Sequence, residues 1–224
     1  MEEKLSIYKF KKLSTESFRN GLRLHFDSIL LFNNDSFPSA LQLSILALEE
    51  FSKSYWIEHY YYSSITNEGF PDAEFEQKWL KLLYVHTKKH QAFIGWGWEM
   101  QYIDSFNKSL RDGSLDIKKQ IATYVGLKRL KSKIETKGRI SSPFSIKQAD
   151  AKKMISVLND YLLDRCDMKK FYDYHFDIKE KDEMLNDDLY DKLEKWEYHS
   201  GLRKEQLFRD KIRKAGNRVD GSAR

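Results

Sequence analysis

The chain has 224 residues, of which 41% are hydrophobic and 14% aromatic, and its formal net charge is +5. This is enough apolar material for a sizeable globular core. A single cysteine excludes an internal disulfide, no apolar run approaches the roughly 18 residues of a transmembrane helix, and the acidic start lacks a signal-peptide pattern, so we expect a cytoplasmic protein that does not enter a membrane.

Few turn-forming residues interrupt the chain, which contains only ten Gly and three Pro. This scarcity disfavours a sandwich or barrel with many hairpins and predicts an all-α fold. A first helix is predicted over about 15–32, beginning at a Ser14 cap and ending at the turn NNDSFPS. Ser36 and Pro38 start a second helix, whose apolar face continues to the NEGFPD break at 67–72.

A third, long helix is predicted from about Ala73 toward Leu110, with the glycines of FIGWGWEM as a kink or close packing point. The sequence Asp-Gly-Ser at 112–114 makes the next turn. A fourth helix is predicted over 115–137, ending at Gly138, where the missing Cβ permits a left-handed cap.

The loop GRISSPF is the candidate domain boundary. It divides the chain into a helical domain at 1–140, a C-terminal helical extension at 141–214 and a disordered tail at 215–224. Within the extension, one long helix is predicted to begin at Ser145 and another to span about 187–214.

Two stripes of polar side chains interrupt the apolar second and third helices. Glu49 and Glu50 lie four and three residues before Lys53, so these acids and the lysine project from one side of the helix. The next helix carries a second stripe at i, i+3 and i+4, consisting of His86, Lys89 and His90. The two stripes are predicted to face each other and form a site.

The charges are distributed unevenly along the chain. Positions 111–153 hold twelve Lys or Arg against four Asp or Glu, positions 154–200 hold seven against thirteen, and positions 201–224 hold eight against three. One interpretation is that these are solvated helix faces that satisfy one another. The other is a phosphate-attracting, RNA-binding surface composed of Lys118, Lys119, Lys128, Arg129, Lys131 and Lys133.

Three stretches resemble a known family: RNGLRLHFDSILLF, SALQLSILALEEFSKSYW and KWLKLLYVHTKKH. In this order and spacing they resemble the AbiV family of bacterial abortive-infection proteins, whose helical domain belongs to the HEPN superfamily. The resemblance covers roughly positions 15–140. Its most specific parts are the spacing of Asn20, Arg23, Leu24 and Asp27, the run from Ala47 to Lys53, and His86 followed by Lys89.

The resemblance implies an antiparallel HEPN-like helical bundle in an antiphage effector that arrests phage multiplication. It implies action on RNA or the translation machinery, and a phage-encoded activator protein as a partner. HEPN proteins are frequently dimeric, and the five Trp, 13 Tyr and 14 Phe independently favour a homodimer built mainly by the bundle.

Many HEPN relatives are metal-independent ribonucleases with an Arg followed by four to six residues and a His. The strict match in this chain is Arg19 and His25 in the first helix, whereas the superfamily motif usually lies on a late helix. Residues six apart do not share a helical face, so this pair is not expected to act as a motif.

Cleavage of RNA needs a base that takes the proton of a ribose 2′-hydroxyl and a cation that stabilises the charge developing on the phosphate. His86 is the candidate base, and Glu49 or Glu50 would orient the cations. The candidate cations are Lys53, Lys89 and Arg23.

The same polar residues have a structural interpretation, in which Glu50 and Lys53 form an ion pair between helices and Arg23 bridges the acidic pair. The chain would then be a noncatalytic helical protein that binds a phage or host protein. A metal site on His86, His90 and one of the acids lacks a second Glu-x-x-His pair, a Cys cluster or an HExxH motif, so we expect no metal and no cofactor.

Overall fold

The computed structural model describes residues 4–67, 69–94, 104–127, 129–130, 133–172 and 178–199. Over these residues the fold is all-α with one short hairpin, which confirms the predicted class. The helices are α1 (Ile7–Asn33), α2 (Phe37–Thr66), α3 (Ala73–Leu82), α4 (His86–Ile94), α5 (Asp104–Arg111), α6 (Ser114–Thr123), α7 (Gln148–Tyr172), α8 (Lys179–Asp182) and α9 (Asp187–Glu194), and the strands are β1 (Arg129–Leu130) and β2 (Lys133–Ile134).

Helices α1 and α2 form a long antiparallel pair at the centre of the fold. Three aromatic contacts run along this pair from its connecting turn outward: Phe32 with Phe37, Phe18 with Phe51, and Phe10 with Tyr60. Helix α1 begins earlier than predicted, because the Ser6 hydroxyl accepts the Lys9 backbone N–H and caps the helix there. The predicted cap, Ser14, is buried inside α1 and donates its hydroxyl to the Ser54 carbonyl of α2 at 2.8 Å.

Helices α1 and α2 pack tightly at Gly21. A Cβ built at this position would lie 2.6 Å from the Phe51 ring, which is fully buried. The glycine therefore permits an approach that any larger residue would obstruct. Phe51 in turn packs on Tyr161 of α7, so this contact joins three helices.

The predicted third helix is wrong as a continuous element. Helix α3 ends at Leu82 and α4 begins at His86, with a turn between them in which the backbone N–H of Tyr84 and Val85 donate to Lys81 and Leu82. No Gly or Pro marks this turn, so the sequence carries no breaker signal there. The predicted kink at Gly95 and Gly97 lies outside the described residues.

The predicted fourth helix is also wrong beyond Thr123. Helix α6 ends there, and the described residues 124–127, 129–130 and 133–144 form an arm that contains β1 and β2 in antiparallel register. Gly126 and Ser141 exchange backbone hydrogen bonds of 3.0 and 2.7 Å at the base of the arm. Gly138 lies in a turn after β2 and does not cap a helix. The β-branched and aromatic residues Thr123 to Val125 favour extended backbone, which explains the early end.

Helix α7 packs against both α1 and α2, and α9 packs on α7. Side chains of α1, α2, α4 to α7 and α9 belong to one apolar core, while a second, aromatic cluster lies where α1, α2 and α3 meet. The final predicted helix is shorter than expected, since α9 ends at Glu194 and Trp196 then folds back to donate its indole N–H to Ser156. Residues beyond 199, including the predicted tail, lie outside the described part.

The candidate boundary near residue 140 remains a prediction. Residues on both sides of it, such as Leu48 and Leu158, belong to the same core. Among the described residues, no helix is long and apolar enough to cross a membrane.

Candidate functional site

The site is built around the carboxylate of Glu49, which is 2% exposed on the inner face of α2. Helix α4 supplies three of its partners: His86 Nδ1 at 2.6 Å, Lys89 Nζ at 3.0 Å and His90 Nε2 at 3.2 Å. Helix α6 supplies the fourth, Lys119 Nζ at 2.6 Å, which also contacts Asp116 at 3.2 Å. We call these six residues the Glu49 cluster. The predicted stripes of α2 and α4 therefore do face each other, through Glu49.

Glu49 is ionised in this environment. Burial disfavours its charged form, but hydrogen bonds from His90 and Lys119 and the charges of Lys89 and Lys119 hold the pKa of this carboxyl well below its usual range. The charges of the two lysines balance those of Glu49 and Asp116. The cluster is thus neutral when both histidines are neutral.

The ionised carboxylate fixes the tautomers of both histidines, because it can only accept hydrogen bonds. His86 donates its Nδ1–H to Glu49, so its Nε2 is the nitrogen that can accept a proton; the His86 side chain is 52% exposed. His90 donates through Nε2 and is fully buried, and its Nδ1 has no hydrogen-bond partner among the described residues. His86 is therefore the histidine of the cluster that solvent can reach.

Glu50 and Lys53 form a separate pair on α2, with 3.9 Å between the Lys53 ammonium and the Glu50 carboxylate. The expected ion pair between helices is wrong, since the two residues lie on one helix. Lys53 also lies 5.8 Å from the centre of the Tyr84 ring, in the turn that leads into His86. Lys53 thus lies beside the turn that positions His86, while Glu49 is the acid that contacts the histidine.

Arg23 makes its polar contacts outside the Glu49 cluster. Its guanidinium binds Asn20 and Asp27 of its own helix and its side chain is 61% exposed, so the predicted bridge to the acidic pair of α2 is wrong. Arg19 likewise pairs with Glu16 on the surface, whereas His25 is buried and hydrogen-bonded to Asn159 of α7. Arg19 and His25 therefore have different partners, one on the surface of α1 and the other in the core.

The predicted basic surface is divided by the fold. Lys119 is 12% exposed and belongs to the Glu49 cluster, and Lys118 is paired with Asp150 at 2.9 Å. Arg129 and Lys133 lie in the two strands of the arm, where the structure describes their backbone. Lys128 and Lys131 lie outside the described residues.

Lys119, predicted as part of the basic surface, contacts Glu49, and its second partner, Asp116, was not among the predicted site residues. The only sequence signal for the pair is their i, i+3 spacing, which is common on solvated helices. A second histidine–carboxylate contact was also missed, between His199 Nδ1 and the buried Asp160 at 3.0 Å.

Two further kinds of site are a metal centre and a reactive thiol. No group of three or more His, Cys, Asp or Glu side chains there is arranged to hold a metal ion. Burial raises the pKa of the Cys166 thiol to about 12, so the thiol stays protonated and is a poor nucleophile.

One family model matches this chain over more than half of its length. The family model for AbiV, a HEPN-domain family, matches residues 9–164, which include α2 to α6 and most of α1 and α7. No curated protein and no solved structure matches the chain. The match spans more than half of the chain and contains every residue of the Glu49 cluster, so the chain belongs to the AbiV family of HEPN-domain, abortive-infection proteins.

Proposed function

We propose that this AbiV-family protein arrests phage multiplication by cleaving RNA without a metal, with His86 as the general base. The observation that carries the proposal is the contact between His86 Nδ1 and the ionised, buried Glu49, which leaves Nε2 of a half-exposed imidazole as the basic nitrogen. A carboxylate that fixes one imidazole nitrogen while the other accepts a proton is a recurrent device of acid–base catalysis.

The proposed reaction is attack of a ribose 2′-oxygen on the adjacent phosphorus. His86 Nε2 takes the 2′-hydroxyl proton, the bond to the 5′-oxygen breaks, and that oxygen takes a proton from water. The products are a 2′,3′-cyclic phosphate and a 5′-hydroxyl end. Lys53, beside the α3–α4 turn, is the proposed cation for the nonbridging oxygens, since the ammonium groups of Lys89 and Lys119 are already bound to Glu49.

The test incubates the purified full-length chain with total cellular RNA and with tRNA, with and without chelator, and sequences the ends. We expect cleavage that resists the chelator and is lost in His86→Ala and Lys53→Ala. His59→Ala is the matched control, because His59 is an exposed histidine of α2 that stacks on Tyr55 and makes no contact with the cluster. Cleavage by His86→Ala at the wild-type rate would refute the proposal.

The alternative is a noncatalytic protein that binds a phage or host protein, and one observation favours it. Four nitrogen-bearing side chains converge on Glu49 and join α2, α4 and α6, as a purely structural network would. If this alternative is correct, neither the wild type nor any variant cuts RNA. Phage protection is then lost only in those variants that also melt at a lower temperature.

A further inference from the structure

The turn between α3 and α4 carries an exposed aromatic ring close to the candidate base. Leu83 is fully buried in the aromatic cluster and anchors the turn, whereas Tyr84 is 68% exposed. The Tyr84 N–H donates to the Lys81 carbonyl at 3.2 Å, so the backbone that carries the ring is fixed. Two peptide units separate Tyr84 from His86, which places their Cα atoms at most about 7.6 Å apart.

The ring lies in a basic part of the surface. Residues 78–90 contain four lysines and no Asp or Glu, and Lys53 of α2 adds an ammonium group 5.8 Å from the centre of the Tyr84 ring. Lys81 and Lys88, on either side of the turn, are exposed and form no ion pair with a described residue. Their charges are therefore available to a ligand.

An exposed ring among lysines fits a single-stranded nucleic acid better than a protein or a duplex. Aromatic side chains stack on unpaired bases while the surrounding cations attract the phosphates. Lysine is depleted in protein interfaces, so the same surroundings disfavour a protein partner. In a duplex the bases are stacked on one another, and their faces are closed to a side chain.

We propose that Tyr84 recognises single-stranded RNA by stacking on the base of the nucleotide whose 2′-hydroxyl His86 deprotonates. This inference rests on the proposed function and adds the substrate class of the same site. The base on the attacking ribose is the one nearest to the reacting 2′-oxygen, and Tyr84 is two residues from His86. Because every base has a face that can stack, the site tolerates any base and requires only that it be unpaired.

The first test measures binding without cleavage. The probe is a fluorescent strand of 2′-fluoro RNA, which has no 2′-hydroxyl to attack, and its anisotropy reports binding to the full chain. We expect the single strand to bind more tightly than the same strand in a duplex. Tyr84→Ala should weaken binding of the single strand by about 5- to 150-fold, as the loss of one stacked base does. Tyr84→Phe keeps the ring and should bind like the wild type.

Tyr8→Ala is the matched control. Tyr8 is also 68% exposed and also lies 5.8 Å from a lysine ammonium, that of Lys12, but it belongs to the first turn of α1. Both alanine variants should melt at the wild-type temperature, because both rings are mostly exposed. Only Tyr84→Ala should bind RNA more weakly. Equal losses of affinity in the two variants would contradict stacking at the proposed site.

The second test locates the stacked base. The substrate is a DNA strand with a single ribonucleotide, so that one 2′-hydroxyl can attack, prepared with the base of that nucleotide and without it. In the wild type, removing the base should raise KM by about the factor that Tyr84→Ala does, while kcat changes less. In Tyr84→Ala, removing the base should add little, since both changes delete the same contact.

The outcomes separate the role of Tyr84 from the proposed function. If the wild type cuts RNA and Tyr84→Ala binds the probe as tightly as the wild type, the role of Tyr84 is refuted and the proposed function stands. If binding of single strands depends on Tyr84 but no RNA is cut, the proposed function is refuted and Tyr84 remains an RNA contact. Equal affinity for single strand and duplex, or independent effects of the missing base and Tyr84→Ala, would also refute the stacking.

Discussion

Glu49 illustrates how one residue combines structural and chemical roles. Its carboxylate holds two ammonium groups and two imidazoles at 3.2 Å or less, and it lies in the interior where unpaired charge is costly. The same contacts engage Nδ1 of His86, whose side chain is 52% exposed, and leave Nε2 as the nitrogen of the proposed base. A change at Glu49 should therefore lower both stability and activity, whereas a change at His86 should mainly lower activity.

We expect Glu49→Gln to lower the free energy of unfolding by about 3 kcal/mol, since it leaves the buried Lys89 without its counter-charge and leaves Lys119 with Asp116 alone. Urea unfolding of the purified chain measures this loss. Glu50→Gln is the matched control: Glu50 is partly exposed and 3.9 Å from Lys53, so its loss should cost below about 1 kcal/mol. Equal losses of unfolding free energy in the two variants would show that Glu49 contributes no more to stability than Glu50 does.

His25 makes the fold sensitive to mild acid. Desolvation lowers the pKa of this buried imidazole to about 4, although the hydrogen bond to Asn159 opposes the shift. The unfolded chain binds a proton at His25 below its usual pKa of 6.5, while the folded chain does not until about pH 4. Stability is therefore lost as the pH falls through this window, by up to ~3 kcal/mol in total.

The urea midpoint should fall between pH 7 and pH 5 by the equivalent of about 2 kcal/mol. His25→Gln, although less stable at pH 7, should lose less on acidification because the titrating group is gone. The low pKa of Glu49 affects stability only below its usual value of 4.5, outside this range. An identical decline of the urea midpoint in the wild type and in His25→Gln would show that other groups cause the acid sensitivity.

At the scale of elements, the fold depends on how closely α1 and α2 approach. Small residues mark the contact, with Ser14 bonded to Ser54 and Gly21 against Phe51. The same helices carry Glu49 and the side chains that contact α7, so their spacing also sets the position of the site.

We expect Gly21→Ala to destabilise the protein, because the added methyl group meets a buried ring at 2.6 Å, a clash that costs about 1–3 kcal/mol. The roughly 1 kcal/mol that alanine gains over glycine in a helix offsets part of this cost, so the net loss should be up to about 2 kcal/mol. Thermal melting compares the variant with Gly126→Ala, where a Cβ meets nothing within 4 Å. A higher melting temperature for Gly21→Ala would mean that the helices separate at little cost.

At the scale of the whole molecule, α7 and α9 complete the core that α1, α2 and α4 to α6 begin. The buried pair of Lys181 and Glu58, at 2.6 Å, further joins α8 to α2. These contacts cross the candidate boundary near residue 140.

We therefore expect heat and urea to unfold the chain in a single cooperative transition, as shared cores do. Calorimetry can check this by comparing the calorimetric enthalpy with the van't Hoff enthalpy. Two separate transitions would instead support a division into a bundle at 1–140 and an independent extension.

The sequence by itself determined the helical class, the turn between α1 and α2, the start of α3 near Ala73 and the periodic stripe of His86, Lys89 and His90, because turn-forming residues and helical spacing are local properties. Only the tertiary structure shows that the stripe contacts Glu49 and that Lys119 of α6 contacts the same carboxylate. It also shows the break before His86 and the arm after Thr123. These depend on which distant faces pack together, and a pattern of charges and apolar residues along one helix does not specify its partners.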